Sequence, residues 1–121
     1  MPLLSRDNFP RDDDGDVLYR LAVEGEDLSC KRDIEFYCYA KDEKTAETIA
    51  ADLESYGYRS SIHVGREGTP EESVSVYSKI TMLPTYDLIV LEQTRLNLIL
   101  KPYGAQCDGW MTESSPKRKL Q

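Results

Sequence analysis

Apolar residues along the chain recur at two different spacings, and the change of spacing separates predicted helices from predicted strands. The first segment places four apolar residues on one helix face: Val17, Leu18, Leu21 and Ala22. Asp13 or Asp14 is the predicted N-cap, because a carboxylate there can accept hydrogen bonds from the free amides of the first turn. Gly25 is the predicted end of this helix.

A strand and a second helix are predicted next. The segment DIEFYCYAK, Asp33 to Lys41, alternates between apolar and polar positions, which is typical of a strand with one buried face. Asp42 is then the predicted N-cap of a helix that ends at Gly57. The apolar positions of these two elements are Ile34, Phe36, Cys38 and Ala40 on the strand and Ala46, Ile49, Ala50 and Leu53 on the helix.

The second half of the chain predicts a hairpin, a long helix and a short last strand. The alternating segments YRSSIHVGR and SVSVYSKITM flank the turn sequence EGTPE, which indicates two adjacent antiparallel strands. A helix is predicted from Thr85 to a stop near Pro102 and Gly104. The segment AQCDGWMT is the last predicted strand.

The order of elements predicts an α+β fold. After the leading helix, the order strand, helix, strand, strand, helix, strand is the split βαβ, ferredoxin-like pattern, with an antiparallel four-stranded sheet and two helices on one face. In that pattern the first and fourth strands are neighbours, so Cys38 and Cys107 could approach one another. We expect an N-terminal extension over residues 1–12, one domain over 13–113 and a disordered basic tail over 114–121.

Charge narrows the class of partner. The chain has 22 acidic and 15 basic residues in 121, a net charge of −7, which disfavours direct binding of nucleic acid because phosphates are held by Lys and Arg. A basic protein partner is favoured instead. Without a membrane span or leader after Met1, we expect a cytoplasmic protein. Its three cysteines, Cys30, Cys38 and Cys107, are expected to be free thiols.

The stretch FPRDDDGDVLYRL contains a run of four aspartates around one glycine: Asp12, Asp13, Asp14 and Asp16. A calcium loop with Gly15 at its sixth position would place Pro10 and Leu21 at the first and twelfth positions, where ligands are required. We therefore predict no metal site. One helix cap needs one aspartate, so the surplus is either solvated surface or a surface that contacts a partner.

Candidate catalytic chemistry is sparse. His63 is the only histidine, and its apolar neighbours Ile62 and Val64 point to the other side of the strand, which places His63 on the polar face or at an edge. The glycines form no phosphate-binding motif, and no cofactor is predicted. A small enzyme that uses His63 and nearby carboxylates is the alternative hypothesis.

The segment CDGWM contains the only tryptophan, Trp110, next to Gly109 within a predicted strand. A glycine there usually marks a bulge or a close approach of two chain segments. Trp110 is either a core residue or an exposed anchor for a partner, and both interpretations stay open. If the first and last strands pair, Tyr37 and Tyr39 could extend an aromatic patch around it.

Two parts of the sequence resemble the regulator of ribonuclease E activity B (RraB-like) family over about residues 13 to 112. They are the span from LYRLAVEGEDLSC to ADLESYGY and the segment CDGWM, in which Asp108, Gly109 and Trp110 match the family's Asp-Gly-Trp motif. The resemblance implies a ferredoxin-like core and a bacterial protein that binds and restrains the endoribonuclease without catalysis of its own. The family's best-known form has a long acidic C-terminal tail, whereas this chain ends in SPKRKLQ.

The leading hypothesis is therefore a non-catalytic, protein-binding regulator of RNA decay, with ribonuclease E as the candidate partner. Its candidate contact residues are Asp12, Asp13, Asp14, Asp16, Asp108, Gly109 and Trp110. The other alternative is a small acidic α+β domain with a different partner.

Overall fold

A computed structural model of the chain describes residues 6–112. It contains three α-helices and four β-strands in the predicted order. Their bounds are α1 Asp13–Val23, β1 Arg32–Ala40, α2 Glu43–Ser55, β2 Arg59–Gly65, β3 Ser73–Met82, α3 Tyr86–Leu100 and β4 Cys107–Met111. Short 3-10 helices lie at Arg6–Asn8 and Lys101–Tyr103.

The four strands form one antiparallel sheet in the order β2-β3-β1-β4. The α+β class is confirmed, and the strand order and connections fit the split βαβ pattern. The predicted hairpin is β2 and β3, and the predicted neighbours β1 and β4 are paired. Cys38 and Cys107 are register partners across that pair.

The core lies on one face of the sheet, and all three helices contribute to it. Its buried side chains from the helices and strands are Leu18, Leu21, Ile34, Phe36, Cys38, Ala46, Ile49, Leu53, Val74, Val76, Ile89, Leu96, Leu100 and Trp110. The alternation predicted for β1 is confirmed, since Ile34, Phe36 and Cys38 are buried while Tyr39 is exposed. The helices therefore leave the opposite face of the sheet uncovered within residues 6–112.

Side-chain caps begin all three helices. Asp42 and Thr85 cap α2 and α3, accepting hydrogen bonds from the backbone N–H groups of Thr45 and Leu88. The predicted cap of α1 at Asp13 or Asp14 is wrong, because Asp12 has the extended backbone of an N-cap and the helix has already begun at Asp13.

Helix α3 ends at Leu100 because Pro102 has no backbone N–H, and the chain continues as a 3-10 turn to Tyr103. The last strand, Cys107–Met111, is shorter than the predicted segment AQCDGWMT. The register of β1 against β4 shifts between Tyr37 and Cys38, opposite Gly109 and Cys107, which confirms the bulge predicted near Gly109.

Two predicted segments fall partly or wholly outside the described residues. The tail 114–121 lies outside them, and so do residues 1–5 of the predicted N-terminal extension. Within residues 6–112, no helix is both long enough and apolar enough to cross a membrane.

Candidate protein-binding surface

The acidic run, Asp12, Asp13, Asp14 and Asp16, surrounds the first turn of α1. Asp12 accepts a hydrogen bond from the Gly15 backbone N–H at 2.8 Å and another from the Tyr86 hydroxyl on α3. The bond from Tyr86, and then that from Gly15, lower the pKa of Asp12. A lowered folded-state pKa means that these bonds stabilise the fold above the unfolded-state pKa of about 4, and the contribution is lost as the pH falls through the folded value.

Gly15 fixes how the chain enters α1. It is buried, and a Cβ atom at this position would lie 1.9 Å from the carbonyl oxygen of Pro10. No real Cβ contact is that short, so only glycine allows the segment before α1 to fold back against the first turn. The glycine within the aspartate run therefore has a packing role.

Asp14 joins the first helix to the last helix and the last strand. Its Oδ1 accepts a hydrogen bond from Trp110 Nε1 at 2.8 Å, and its Oδ2 accepts one from Gln93 Nε2 on α3 at 3.0 Å. Trp110 is only 9% exposed and belongs to the core. A buried indole N–H needs an acceptor, and Asp14 supplies it. Of the two interpretations of Trp110, the structure shows the core residue.

The other two aspartates of the run face solvent. Asp16 forms an ion pair with Arg6, although its side chain is still 60% exposed. Arg6 also donates to the Phe9 carbonyl oxygen at 2.9 Å, which fixes its position. The Asp13 side chain is exposed and makes no hydrogen bond or ion pair within residues 6–112. The acidic run is thus a carboxylate surface in which three of the four side chains are held in place by other parts of the chain.

The three residues of the Asp108 to Trp110 motif lie in different environments. Asp108 is exposed in the bulge of β4, and Trp110 pairs with Phe36 on the core face. Gly109 lies under the ring of Tyr37, where a Cβ would be 2.6 Å from the tyrosine hydroxyl oxygen and 2.9 Å from the ring carbon that bears it. The close approach predicted at this glycine is therefore confirmed.

The predicted aromatic patch that joins Trp110 to Tyr37 and Tyr39 is wrong. The strands do pair, but neighbouring residues of a strand face opposite sides of the sheet, so Trp110 and the two tyrosines lie on different faces. The tyrosines extend instead across β3 and β2. Tyr37 stacks on Tyr77 with ring centroids 5.7 Å apart, and His63 lies 4.5 Å from Tyr77. Tyr37, Tyr39, Tyr77 and His63 thus form a row of aromatic side chains across β1, β3 and β2.

His63 is exposed on the edge strand β2, as predicted. The Ser61 hydroxyl oxygen lies 3.5 Å from its Nε2, beyond the usual reach of about 2.6 to 3.2 Å between a nucleophile and its base. No carboxylate contacts His63 within the described part of the chain. The geometry therefore offers no oriented nucleophile and base at this residue.

A shallow groove of about 270 Å³ lies between the later turns of α1 and the end of β4. It is lined by Val17, Arg20, Leu21, Glu24, Trp110, Met111 and Thr112. No aspartate of the acidic run lines it. The groove and the acidic run are therefore separate features of the surface. Residues 6–112 also contain no cluster of side chains suited to a metal ion.

The three thiols differ in environment. Burial raises the pKa of Cys38 and of Cys107 to about 11, because the thiolate is disfavoured away from water. Cys30 is exposed. Since the folded pKa values of Cys38 and Cys107 exceed the ordinary 9.0, these two thiols stabilise the fold below about pH 9, and this contribution is lost as the pH rises towards 11.

We expect iodoacetamide at pH 8 to modify Cys30 long before Cys38. The thiolate fraction of a thiol with the raised pKa is lower by on the order of a hundredfold than that of an ordinary cysteine, and burial blocks access as well. Mass spectrometry of peptides over a time course measures both rates, and the same reaction in urea is the control, where the rates should converge. Rapid native labelling of Cys38 would contradict its placement on the core face.

Sequence reasoning named the seven candidate residues but missed what holds them. Tyr86 and Gln93, which contact Asp12 and Asp14, lie more than seventy positions away and carry no local signal. Tyr77 could have been found from the alternation of β3, because it falls on the same polar phase as Lys79.

A model of the RraB family, described as regulator of ribonuclease activity B, matches residues 11–112. No curated protein matches the chain. The matched segment begins just before α1 and ends just after β4, so it includes both the acidic run and the Asp108 to Trp110 motif.

Proposed function

The chain belongs to the RraB family of regulators of ribonuclease activity, and from this premise we propose that it binds an endoribonuclease of the ribonuclease E type and restrains it without catalysing a reaction. The observation that carries the proposal is the extent of the match, which includes all three α-helices and all four strands of the described residues. In this proposal the protein acts in the bacterial cytoplasm, needs no cofactor and does not bind RNA itself.

The charge of the chain supports a basic partner. Ribonucleases hold RNA through Lys and Arg side chains that neutralise phosphates, so their RNA-binding surfaces attract carboxylates as well. The chain has a net charge of −7, and the acidic run gathers four of its carboxylates around one helix turn. A protein surface of this kind speeds association with a basic partner and competes with RNA for it.

The contacts within the acidic run favour a preformed surface. Asp12 and Asp14 are already held by hydrogen bonds from α3 and β4, so little side-chain freedom is lost when a partner binds. In this proposal Asp13, Asp16 and Asp108 contact the partner directly. Gly109 and Trp110 act from below the surface, Trp110 by holding Asp14.

The proposal is tested with purified full-length chain and ribonuclease E. We expect a saturable decrease in the rate at which the ribonuclease cleaves a fluorogenic single-stranded RNA, together with direct binding by surface capture. The chain alone should leave the RNA intact. An unchanged cleavage rate and no binding at micromolar concentrations would overturn the proposal, and cleavage by the chain alone would favour an enzyme.

A charge-reversal variant locates the contact. Asp12 is unsuitable because it caps α1, and loss of a cap costs about 1 kcal/mol, so Asp13→Lys with Asp16→Lys is the informative pair. We expect slower association and a flatter dependence on salt, because surface charges act mainly through steering. The matched control makes the same charge change on α2 with Glu47→Lys and Glu54→Lys, both exposed. Equal slowing in both variants would mean that only the net charge matters.

A further inference from the structure

The sheet face opposite the core carries a continuous aromatic surface. Tyr37 and Tyr77 are cross-strand partners on β1 and β3, and their rings stack at an interplanar angle of 27°. Tyr39 packs edge-on against Tyr37 at 6.4 Å and is 53% exposed, and His63 contacts Tyr77 from the edge strand β2. Tyrosine and tryptophan are enriched among the residues that contribute most to binding energy at protein interfaces. A group of exposed aromatic side chains on an uncovered sheet face therefore indicates a binding surface.

Gly109 makes this surface flat on the β4 side. A side chain at position 109 would occupy the space in which the hydroxyl end of Tyr37 lies, since its Cβ would come within 2.6 Å of that oxygen. With glycine, the ring of Tyr37 lies across the backbone of β4 and also stacks on Tyr77. Together with Tyr39, the two rings form one broad surface over β4, β1 and β3, and we call these three tyrosines the platform.

Charge on this face selects against phosphates. Arg59 donates to Asp33 at 3.0 Å, and Lys79 is the cross-strand partner of Glu35. Asp108 lies near Tyr37, where burial first and this carboxylate second raise the pKa of the tyrosine. Arg59 is thus paired with a carboxylate, Lys79 lies opposite one on the neighbouring strand, and Asp108 adds an acidic group at the edge of the platform.

Arginine is the side chain that fits such a surface. Its planar guanidinium stacks on aromatic rings and at the same time donates to carboxylates, whereas the ammonium of lysine acts as a hydrated point charge. The chain shows the same combination elsewhere. The guanidinium of Arg95 lies 5.3 Å from the ring centroid of Tyr58 while it donates to Glu92 at 3.1 Å.

We propose that the platform formed by Tyr37, Tyr39 and Tyr77 binds an extended, arginine-containing segment of the protein partner, with guanidinium groups stacked on the rings and paired with Asp108 at the edge. This inference rests on the proposed function and names the chemistry of the partner. It assigns the stacking contacts to the sheet face, while the acidic run on α1 steers the partner from a different side of the molecule.

The test uses the full chain and a fluorescein-labelled peptide of six Arg-Gly repeats, followed by fluorescence anisotropy. We expect Tyr39→Ala with Tyr77→Ala to raise the dissociation constant about tenfold or more, and Tyr39→Ala alone, at an exposed position, to raise it about threefold. Phe at both positions should preserve binding because the rings remain. The matched control is Tyr56→Ala, since Tyr56 is 49% exposed at the end of α2.

The choice of arginine is tested with six Lys-Gly repeats, which carry the same charge. We expect at least about fivefold weaker binding of the lysine peptide, because it cannot stack in the same way. Equal affinity for the two peptides, or equal loss of binding in the Tyr56 control, would overturn the proposal. So would binding of a 12-nucleotide uridine RNA that the platform variants abolish, because the occupant would then be nucleic acid.

Two other occupants are also distinguished. If replacing Lys117, Arg118 and Lys119 by Ser tightens peptide binding on the platform, the chain's own tail occupies it. If the chain forms a dimer that Tyr39→Ala dissociates, a second copy does. Either result overturns the proposal of a partner segment. Ribonuclease inhibition that persists in the double Tyr variant would reject the platform and leave the proposed function standing, whereas no inhibition by the parent chain would reject the function itself.

Discussion

Replacing Trp110 by Ala is expected to lower the free energy of unfolding by about 3 to 5 kcal/mol. The side chain is 9% exposed and lies in the core with Phe36, its cross-strand partner. Removal of the side chain leaves a cavity between the sheet and α1. Asp14 also loses the hydrogen bond that it accepts from the indole N–H. Urea denaturation followed by circular dichroism measures the change.

A second variant separates packing from the hydrogen bond. Trp110→Phe keeps an aromatic ring but removes the N–H, so we expect a smaller loss of about 1 to 3 kcal/mol. A free energy of unfolding for Trp110→Ala within about 0.5 kcal/mol of the parent value would contradict the core placement, because only surface positions tolerate such a change. Faster dissociation from a partner in that same variant would then support the anchor interpretation.

Gly15→Ala is expected to destabilise the protein by about 1 to 3 kcal/mol or more, even though Ala normally favours a helix over Gly. The reversal of sign follows from the Cβ, which would lie 1.9 Å from the Pro10 carbonyl oxygen and would push the preceding segment away from α1. Since Asp12 caps the helix from that segment, its bonds to Gly15 and Tyr86 should weaken as well.

Thermal melts of Gly15→Ala against Asp13→Ala test this expectation. Asp13 lies in the same turn and is exposed, so its replacement by Ala should change stability by no more than about 0.5 kcal/mol. A Gly15→Ala protein that melts above the parent would show that the segment before α1 does not pack against the helix. Gly15 would then have no packing role at the start of α1.

Local patterns were enough to predict the elements and their faces. Alternation placed Ile34 and Phe36 inside and Tyr39 outside, and side-chain oxygens at Asp42 and Thr85 mark the starts of α2 and α3. These signals act over a few residues, so they can be read directly from the sequence. The cap of α1 was predicted at Asp13 or Asp14 and lies at Asp12, because adjacent aspartates are equally able to cap and the local pattern does not distinguish them.

The arrangement of the site depends on contacts that no local pattern encodes. A patch that joined Trp110 to Tyr37 was expected if the two strands paired, yet the register places Trp110 opposite Phe36, so Trp110 and Tyr37 lie on opposite faces. Tyr86 and Gln93 were not predicted as partners of the acidic run, because that requires knowing how α1 packs on α3. The sequence thus predicted which residues are candidates, and the fold decided which of them face solvent.

The bond between Asp14 and Trp110 also has a consequence for the order in which the surface is made. The two residues are 96 positions apart, so their hydrogen bond cannot form on the ribosome until β4 has been synthesised and has emerged. Until that bond forms, Asp14 lacks one of the two side-chain contacts that hold it in place. An incomplete nascent chain therefore carries the four aspartates but does not yet present them as an ordered surface.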